Sequence, residues 1–111
     1  MSQRVPATAS VLGVEARVAD TFASRLMGLM FRRTPPLPGT GLLITRCRCI
    51  HTLFMRFPID AAFLDAAGDP VRIVRGVRPW RLCVWGGRKA VQVLETRAGG
   101  LGAGSGAGTA T

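Results

Sequence analysis

The sequence predicts a mainly β fold of the α+β class, a small antiparallel β-barrel or sandwich of five to six strands with one short N-terminal helix. Strand-like segments recur along the chain, whereas apolar residues at helical spacing occur only near its start. Because strands and helices do not alternate repeatedly, a parallel sheet is not expected. The 111 residues are 48% hydrophobic, which is enough for one modest core.

The first elements are predicted to be a strand and the helix. Residues 11–18 alternate apolar and polar side chains, as a half-buried strand does. Asp20 or Thr21 suits a helix N-cap, and the apolar residues that follow predict an amphipathic helix to about Met30. Gly28 lies inside this helix, and we expect it to let the helix approach the sheet closely.

The rest of the domain is predicted to consist of strands and loops. Three prolines within residues 34–41 predict a loop. The later strands are expected at residues 41–45, 60–65, 71–74 and 90–95. The second and third of these flank a Gly-Asp-Pro turn and therefore predict a hairpin. Residues 76–88 contain both tryptophans and are expected to form a long loop.

These elements are expected to form a single globular domain at residues 10–100. Residues 1–9 are mostly small and polar, which is typical of a flexible leader. Residues 101–111 contain only Gly, Ala, Ser and Thr after Leu101. Such a segment buries too little apolar surface to offset its ordering entropy, so the tail is predicted to be disordered.

The charge is strongly basic, with 15 Lys and Arg against 6 Asp and Glu and a formal net charge of +9. This charge would attract polyanions. The arginines are scattered, however, in an Ala- and Gly-rich composition, and the aromatic residues do not interleave with them at base-stacking spacing. The charge is therefore expected to form mainly a solvated basic surface. Nucleic acid is not the expected partner and is kept only as an alternative hypothesis, whereas an unknown small molecule or protein is the expected partner.

The sequence also supports expectations about the cellular location and the redox state of the cysteines. It has no run of about 18 apolar residues and no secretory signal pattern, so a cytoplasmic protein without a transmembrane segment is expected. The three cysteines are an odd number, which favours reduced thiols. Cys47 and Cys49 are too close in sequence for an unstrained mutual disulfide.

Residues 47–65 are the segment in which a functional site is expected, because they hold two of the three cysteines and the only histidine. The candidate ligand-binding residues are Arg25, His51, Thr52, Met55, Arg56 and Asp60. The leading hypothesis is a non-enzymatic module that binds a ligand or partner at a polar site around His51 and Asp60. Catalysis is left open, with no catalytic residue assigned.

Two alternatives use the thiols. Cys47, Cys49 and His51 would share one face of a strand, roughly 7 Å apart, and thiolates with imidazole suit Zn²⁺ or Cu⁺. Alternatively, a cysteine could act as a nucleophile with His51 as its base. The spacing of the cysteines is not that of a structural zinc site, so no metal or cofactor is expected.

A purely structural interpretation is also open. His51 could donate to a backbone carbonyl at a bend, Met55 could be core, and Asp60 could cap a turn or pair with Arg25 or Arg56.

Four motifs, in order, resemble one known family. They are Arg25-Leu-Met-Gly-Leu-Met30 with Arg32, Gly41-Leu-Leu-Ile44, the run from His51 to Asp65, and Val93-Leu-Glu95 followed by Ala98-Gly99. Together they resemble the bacterial and archaeal family known as domain of unknown function 192, across about residues 11–100. The resemblance implies a compact, mostly β fold with a short helix and implies no activity.

Two departures refine this resemblance. Exported members of the family carry a Trp-Met-Lys-Asn-Thr version of the central motif. His51-Thr52 stands in that place here, which resembles the non-exported branch. Family members usually end with a glycine-aspartate turn and a short strand, and residues 102–111 lack this pattern.

Overall fold

The computed structural model describes residues 8–102 and 108–110. Within them the elements are β1 (Thr8–Val11), β2 (Val14–Ala19), α1 (Phe22–Met27), β3 (Thr40–Thr45), β4 (Cys49–Ile50), β5 (Ile59–Leu64), β6 (Pro70–Val77), β7 (Val84–Trp85), β8 (Gln92–Arg97) and β9 (Gly108–Ala110). Seven strands form one sheet in the order β1-β2-β3-β8-β5-β6-β9, and β4 pairs with β7 in a second sheet. The predicted mainly β fold with one short helix is confirmed.

The large sheet is mixed, which corrects the expectation of a wholly antiparallel one. β2 pairs in parallel with β3, and β6 with β9, whereas the other pairs in this sheet are antiparallel. Parallel neighbours need a long crossover, and α1 with the proline-rich loop after it supplies one between β2 and β3. The hydrogen-bonded order is open, with β1 and β9 at its edges.

A tight turn divides the first predicted strand into β1 and β2. Leu12 and Gly13 form a two-residue connection with φ angles of 51° and 76°. Positive φ at both central residues is the hairpin geometry whose twist matches that of paired strands. The alternation across residues 11–18 concealed this turn, because Gly13 stands where a polar residue of a continuous strand would be.

Helix α1 begins where the sequence predicts and ends earlier. Thr21 is its N-cap and forms a reciprocal capping box with Ser24. The helix stops at Gly28, whose φ of 48° and ψ of −123° suit glycine alone. A Cβ there would lie 3.7 Å from Oε1 of Glu95 and 3.8 Å from Ile44, which are ordinary contacts. The backbone conformation therefore requires this glycine, and close packing does not.

The hairpin predicted near residue 65 is confirmed. β5 and β6 pair antiparallel, and Asp65 closes the turn between them. Its Oδ1 accepts hydrogen bonds from the backbone N–H groups of Ala67 at 3.0 Å and Asp69 at 2.9 Å. An aspartate that bonds to backbone within a turn replaces the hydrogen bonds that the ladder loses there.

The ends of the domain differ from expectation. Thr8 and Ala9 belong to β1, and Gly108–Ala110 forms the short strand β9 within the tail that is predicted to be disordered. Residues 1–7, 103–107 and 111, on which the rest of those predictions fall, lie outside the described residues. In the part of the chain that the structure describes, no helix is long and apolar enough to cross a membrane.

Apolar residues cover both faces of the large sheet. The larger cluster combines alternate sheet residues such as Phe63 and Val93 with Leu29, Met55 and Val84 from outside the sheet. The second cluster lies on the opposite face of the sheet. Its buried members are Val14, Ala16, Leu43, Ala62, Leu64, Ile73, Leu94 and Leu101. Side chains of one strand thus alternate between the two clusters, as strand geometry requires.

A disulfide joins the small sheet, which corrects the expectation of reduced thiols. Cys49 in β4 is bonded to Cys83, the residue before β7, with their Cα atoms 6.0 Å apart. Cys47 is free. The two bonded residues are 34 positions apart, so their spacing in the sequence could not reveal the contact. Closing a loop of this length stabilises the fold by about 3–4 kcal/mol through the unfolded state.

Replacing Cys83 with serine should therefore lower the free energy of unfolding by about 3–4 kcal/mol, measured by urea denaturation. Cys47→Ser is the matched control and should leave that contribution intact. Reductant should destabilise the wild type and the control alike, and it should not destabilise Cys83→Ser. Equal stability of Cys83→Ser and the wild type in oxidising buffer would contradict the assignment.

Candidate functional site

A cavity of about 230 Å³ lies between α1, β3, β4 and β8. Its polar lining residues are Arg25, Arg46, Cys47, Cys49, His51 and Glu95. Apolar side chains, including Ile44 and Met55, form the remaining walls. The cavity thus brings together three stretches of the chain that are distant in sequence, namely residues 25–28, residues 44–55 and Glu95.

Glu95 is the most unusual group in this cavity. It lies on β8, which pairs with β3 on one side and β5 on the other, and only 1% of it is exposed. Its Oε1 has no hydrogen-bond partner among the described residues. Burial raises the pKa of this carboxyl to about 8, so it is mainly neutral at pH 7.

An unpaired buried carboxyl is costly. Removing a polar group from water without a compensating hydrogen bond costs about 2 kcal/mol or more. Most buried polar side-chain atoms in folded proteins have a partner, and the exceptions concentrate at functional sites. Glu95 therefore makes this cavity the candidate functional site of the chain.

Two arginines lie on the helix side of the cavity. Arg25 donates from Nε to the carbonyl of Thr21 at 3.3 Å and from Nη1 to the carbonyl of Arg46 at 3.4 Å. Arg46 donates in turn from Nη2 to the carbonyl of Asp20 at 2.9 Å. These bonds hold both guanidinium groups between α1 and the end of β3, where they can attract an anion.

Cys47 lines the same cavity. Burial is the largest influence on its thiol and raises the pKa, whereas a backbone hydrogen bond at Cys49 and the charge of Arg25 lower it, and Glu95 raises it further when ionised. The thiol donates to the carbonyl of Cys49 at 3.2 Å. At neutral pH Cys47 is therefore a thiol and not a nucleophilic thiolate.

His51 and Met55 complete the part of the site that the sequence predicts. Nδ1 of His51 accepts a hydrogen bond from the backbone N–H of Leu53 at 3.2 Å, so the neutral ring carries its proton on Nε2. Met55 is 2% exposed and belongs to the larger apolar cluster. The structure thus brings three candidate residues together, Arg25, His51 and Met55.

The other three candidates do not line this cavity. Thr52 is buried and donates to the carbonyl of Arg78 at 2.6 Å, while its Oγ1 accepts from the backbone N–H of Arg81 at 2.8 Å. Arg56 is exposed. Thr52 therefore fixes the loop before β7.

Asp60 connects backbone segments. Its Oδ1 accepts from the N–H of Gly76 and its Oδ2 from the N–H of Gly99, each at 2.9 Å. This arrangement corresponds to the structural interpretation in which Asp60 caps turns. The acidic side chain that shares the cavity with His51 is Glu95 instead.

In the sequence, Glu95 belongs to the family motif Val93-Leu-Glu95, and it is not among the predicted ligand-binding residues. The available signal was an acidic residue at an inward position of an apolar strand, in register with Val93. Acidic side chains are rarely fully buried unless they are paired, so an acid at such a position calls for an explanation.

The thiol-based metal set does not assemble. Cys49 is bonded to Cys83, which leaves Cys47 and His51 without a second thiolate. Within residues 8–102 and 108–110, no three His, Cys, Asp or Glu side chains come close enough to hold a metal ion.

Known proteins share both the sequence and the fold. A UPF0127 protein of Pyrococcus furiosus is 40% identical over 73 residues, covering 64% of this chain and 62% of that protein. A UPF0127 protein of Thermococcus sibiricus is 37% identical over 87 residues, covering 75% and 54%. The chain thus spans little more than half the length of these relatives.

Two solved structures are similar as well. A candidate transcription regulator from Sinorhizobium meliloti 1021 matches with a TM-score of 0.70 and 26% identity, over 79% of this chain and 71% of that one. A protein of unknown function from Novosphingobium aromaticivorans matches with a TM-score of 0.69 and 20% identity, over 86% and 83%. The second likeness concerns the fold alone.

The family itself follows from the sequence match. The model of the family DUF192, described as "Uncharacterized ACR", matches residues 4–105. This range includes every strand from β1 to β8, the helix and the whole lining of the cavity. The chain therefore belongs to the DUF192 family.

Proposed function

We propose that this protein is a binding module that holds a small anionic molecule in the cavity beneath α1. The observation that carries the proposal is Oε1 of Glu95, which is buried, has no partner among the described residues and lines the cavity. A ligand that supplies a hydrogen bond to this oxygen would remove the cost of burying it. In this proposal, Oε1 of Glu95 forms its hydrogen bond only when a ligand is bound.

The charges and walls of the cavity define the class of ligand. Arg25 and Arg46 attract an anionic group on the helix side, while the neutral carboxyl of Glu95 can donate or accept one hydrogen bond. Ile44 and Met55 favour an apolar part between them. A short-chain carboxylic acid that carries a hydroxyl or amino group has all three features.

The size of the cavity limits the ligand further. Its volume of about 230 Å³ is smaller than the ~300–1,000 Å³ of drug-sized pockets. At ~30 Å³ for each water molecule, it has room for about eight waters. The ligand is therefore expected to be smaller than a nucleotide.

Binding is favoured over catalysis by the state of the candidate groups. The raised pKa of Cys47 keeps it protonated at neutral pH, and Nδ1 of His51 already accepts a backbone hydrogen bond. Neither a thiolate nor a free Nδ1 base is thus available in this arrangement.

The cytoplasmic location and the non-exported branch stay predictions from the sequence.

A titration followed by NMR tests the proposed ligand class. Lactate, serine and butyrate should be added separately to ¹⁵N-labelled protein, with inorganic phosphate as an anion that lacks an apolar part. We expect saturable shifts at the amides of Gly28, Cys47 and His51 for at least one carboxylate, with a dissociation constant of about 1 mM or below.

The variants Arg25→Gln and Glu95→Leu should each weaken this binding about tenfold, which is about 1.4 kcal/mol, because leucine removes the hydrogen-bonding group of Glu95. Arg32→Gln is the matched control, because Arg32 is exposed and does not line this cavity. Saturable shifts that are unchanged in Glu95→Leu, or no saturable shift with any of the carboxylates, would contradict the proposal.

Glu95→Gln should also change how stability depends on pH. The pKa of Glu95 is about 8 in the folded chain and near 4.5 when exposed. Between these values the folded state keeps a proton that the unfolded state has released, so stability falls as pH rises, by up to about 1.4 kcal/mol per pH unit. The glutamine variant lacks this loss and should gain stability relative to the wild type from pH 5 to about 8.

Urea denaturation at several pH values measures this difference. Glu15→Gln is the control, since Glu15 is exposed on β2, and its stability should run parallel to that of the wild type. Parallel curves for Glu95→Gln and the wild type would show that Glu95 is not buried in its neutral form.

A further inference from the structure

Three aromatic side chains form an exposed stack away from the cavity. Phe31, Phe54 and Trp80 are 55%, 44% and 60% exposed. The ring centroids of Phe31 and Phe54 are 5.1 Å apart, and those of Phe54 and Trp80 are 4.9 Å apart. Large aromatic side chains are normally placed where they can be buried, so a contiguous exposed set indicates an interaction surface.

The backbone fixes these rings in place. All three residues have positive φ angles, of 66°, 62° and 68°, in a region that bulky residues rarely adopt. The N–H of Phe31 donates to the carbonyl of Phe54 at 3.0 Å, and the N–H of Trp80 donates to the carbonyl of Thr52 at 2.8 Å. The fold therefore keeps these three residues in an unfavourable backbone conformation, although their exposed rings contribute little to the core.

The chain around the stack is free of acidic residues. No Asp or Glu occurs between Asp20 and Asp60, or between Asp69 and Glu95, and these two segments carry twelve of the fifteen basic residues. Phe31 and Phe54 lie in the first segment and Trp80 in the second. The acidic residues are thus segregated from the aromatic surface along the sequence.

Five arginines lie within two positions of a stacked ring, and all are exposed: Arg32, Arg33, Arg56, Arg78 and Arg81. Within residues 8–102 and 108–110, no side-chain hydrogen bond engages any of these five guanidinium groups. They remain available to an external anion, to which guanidinium groups bind strongly.

We infer that Phe31, Phe54 and Trp80, with these five arginines, form a binding surface for single-stranded nucleic acid. Exposed planar rings provide stacking platforms for unpaired bases, and a surrounding set of arginines follows the phosphate backbone. An acidic peptide would satisfy the arginines and leave the ring faces unused. A duplex keeps its bases stacked on each other and would not need the rings.

The inference is independent of the cavity, since none of the three rings lines it. It also revises an expectation, because the spacing of the aromatic residues in the sequence gave no sign of base stacking. The stack is assembled from three segments that are each more than 20 residues apart in the chain. Only the fold brings them together.

Fluorescence anisotropy with labelled oligothymidylate and oligouridylate of about 15 nucleotides tests the surface. We expect binding at about 0.05 M salt that weakens steadily toward about 0.2 M, as the displacement of counterions from phosphates requires. Trp80→Ala should reduce the affinity at least tenfold, whereas Trp80→Phe should retain most of it.

Trp85→Ala is the matched control, because Trp85 is 49% exposed and lies outside the stack. It should bind like the wild type. Equal losses in Trp80→Ala and Trp85→Ala, or no binding at low salt, would overturn the inference.

A competition identifies the class of polymer. Excess polyglutamate or duplex DNA should displace the labelled strand far less effectively than the same unlabelled strand. If polyglutamate competes equally well, the surface binds acidic peptides and the inference is wrong. Thermal melting of each variant confirms that the fold is retained, which the exposure of Trp80 favours.

Discussion

Strand β8 is hydrogen-bonded along both edges and covered on both faces, and this double burial governs the rest of the molecule. It pairs with β3 and β5, so that its residues contact the core whichever way they point. Leu94 enters one apolar cluster and Val93 the other. Glu95 faces the side of Val93, where the surroundings are apolar, and its raised pKa is a direct result.

The elements that cover Glu95 are small and held by few contacts of their own. Helix α1 has six residues and depends on the capping box at Thr21 and the glycine conformation at its end. The second sheet has two strands of two residues, joined by the bond from Cys49 to Cys83. Such short elements are not stable alone, so the cavity owes its shape to the caps and the cross-link around it.

The sequence predicts features that depend on neighbouring residues, and it does not predict contacts between segments that are far apart in the chain. The hairpin around Asp65 and the start of α1 depend on residues within a few positions, and the sequence predicts both, with Thr21 as one of two N-cap candidates. The disulfide joins residues 34 positions apart, and the aromatic stack joins three segments. The family motifs predicted the fold correctly but gave no roles, so Glu95 was treated as part of a motif and Asp60 as part of the site.

The walls of the cavity differ in how firmly they are held. Its floor is the middle of a seven-stranded sheet, whose amide protons should exchange with solvent only when the whole chain unfolds. Its other walls come from the six-residue helix α1 and from the segment around β4. A helix this short can open locally while the sheet stays intact, so hydrogen exchange at α1 should be much faster than at β8.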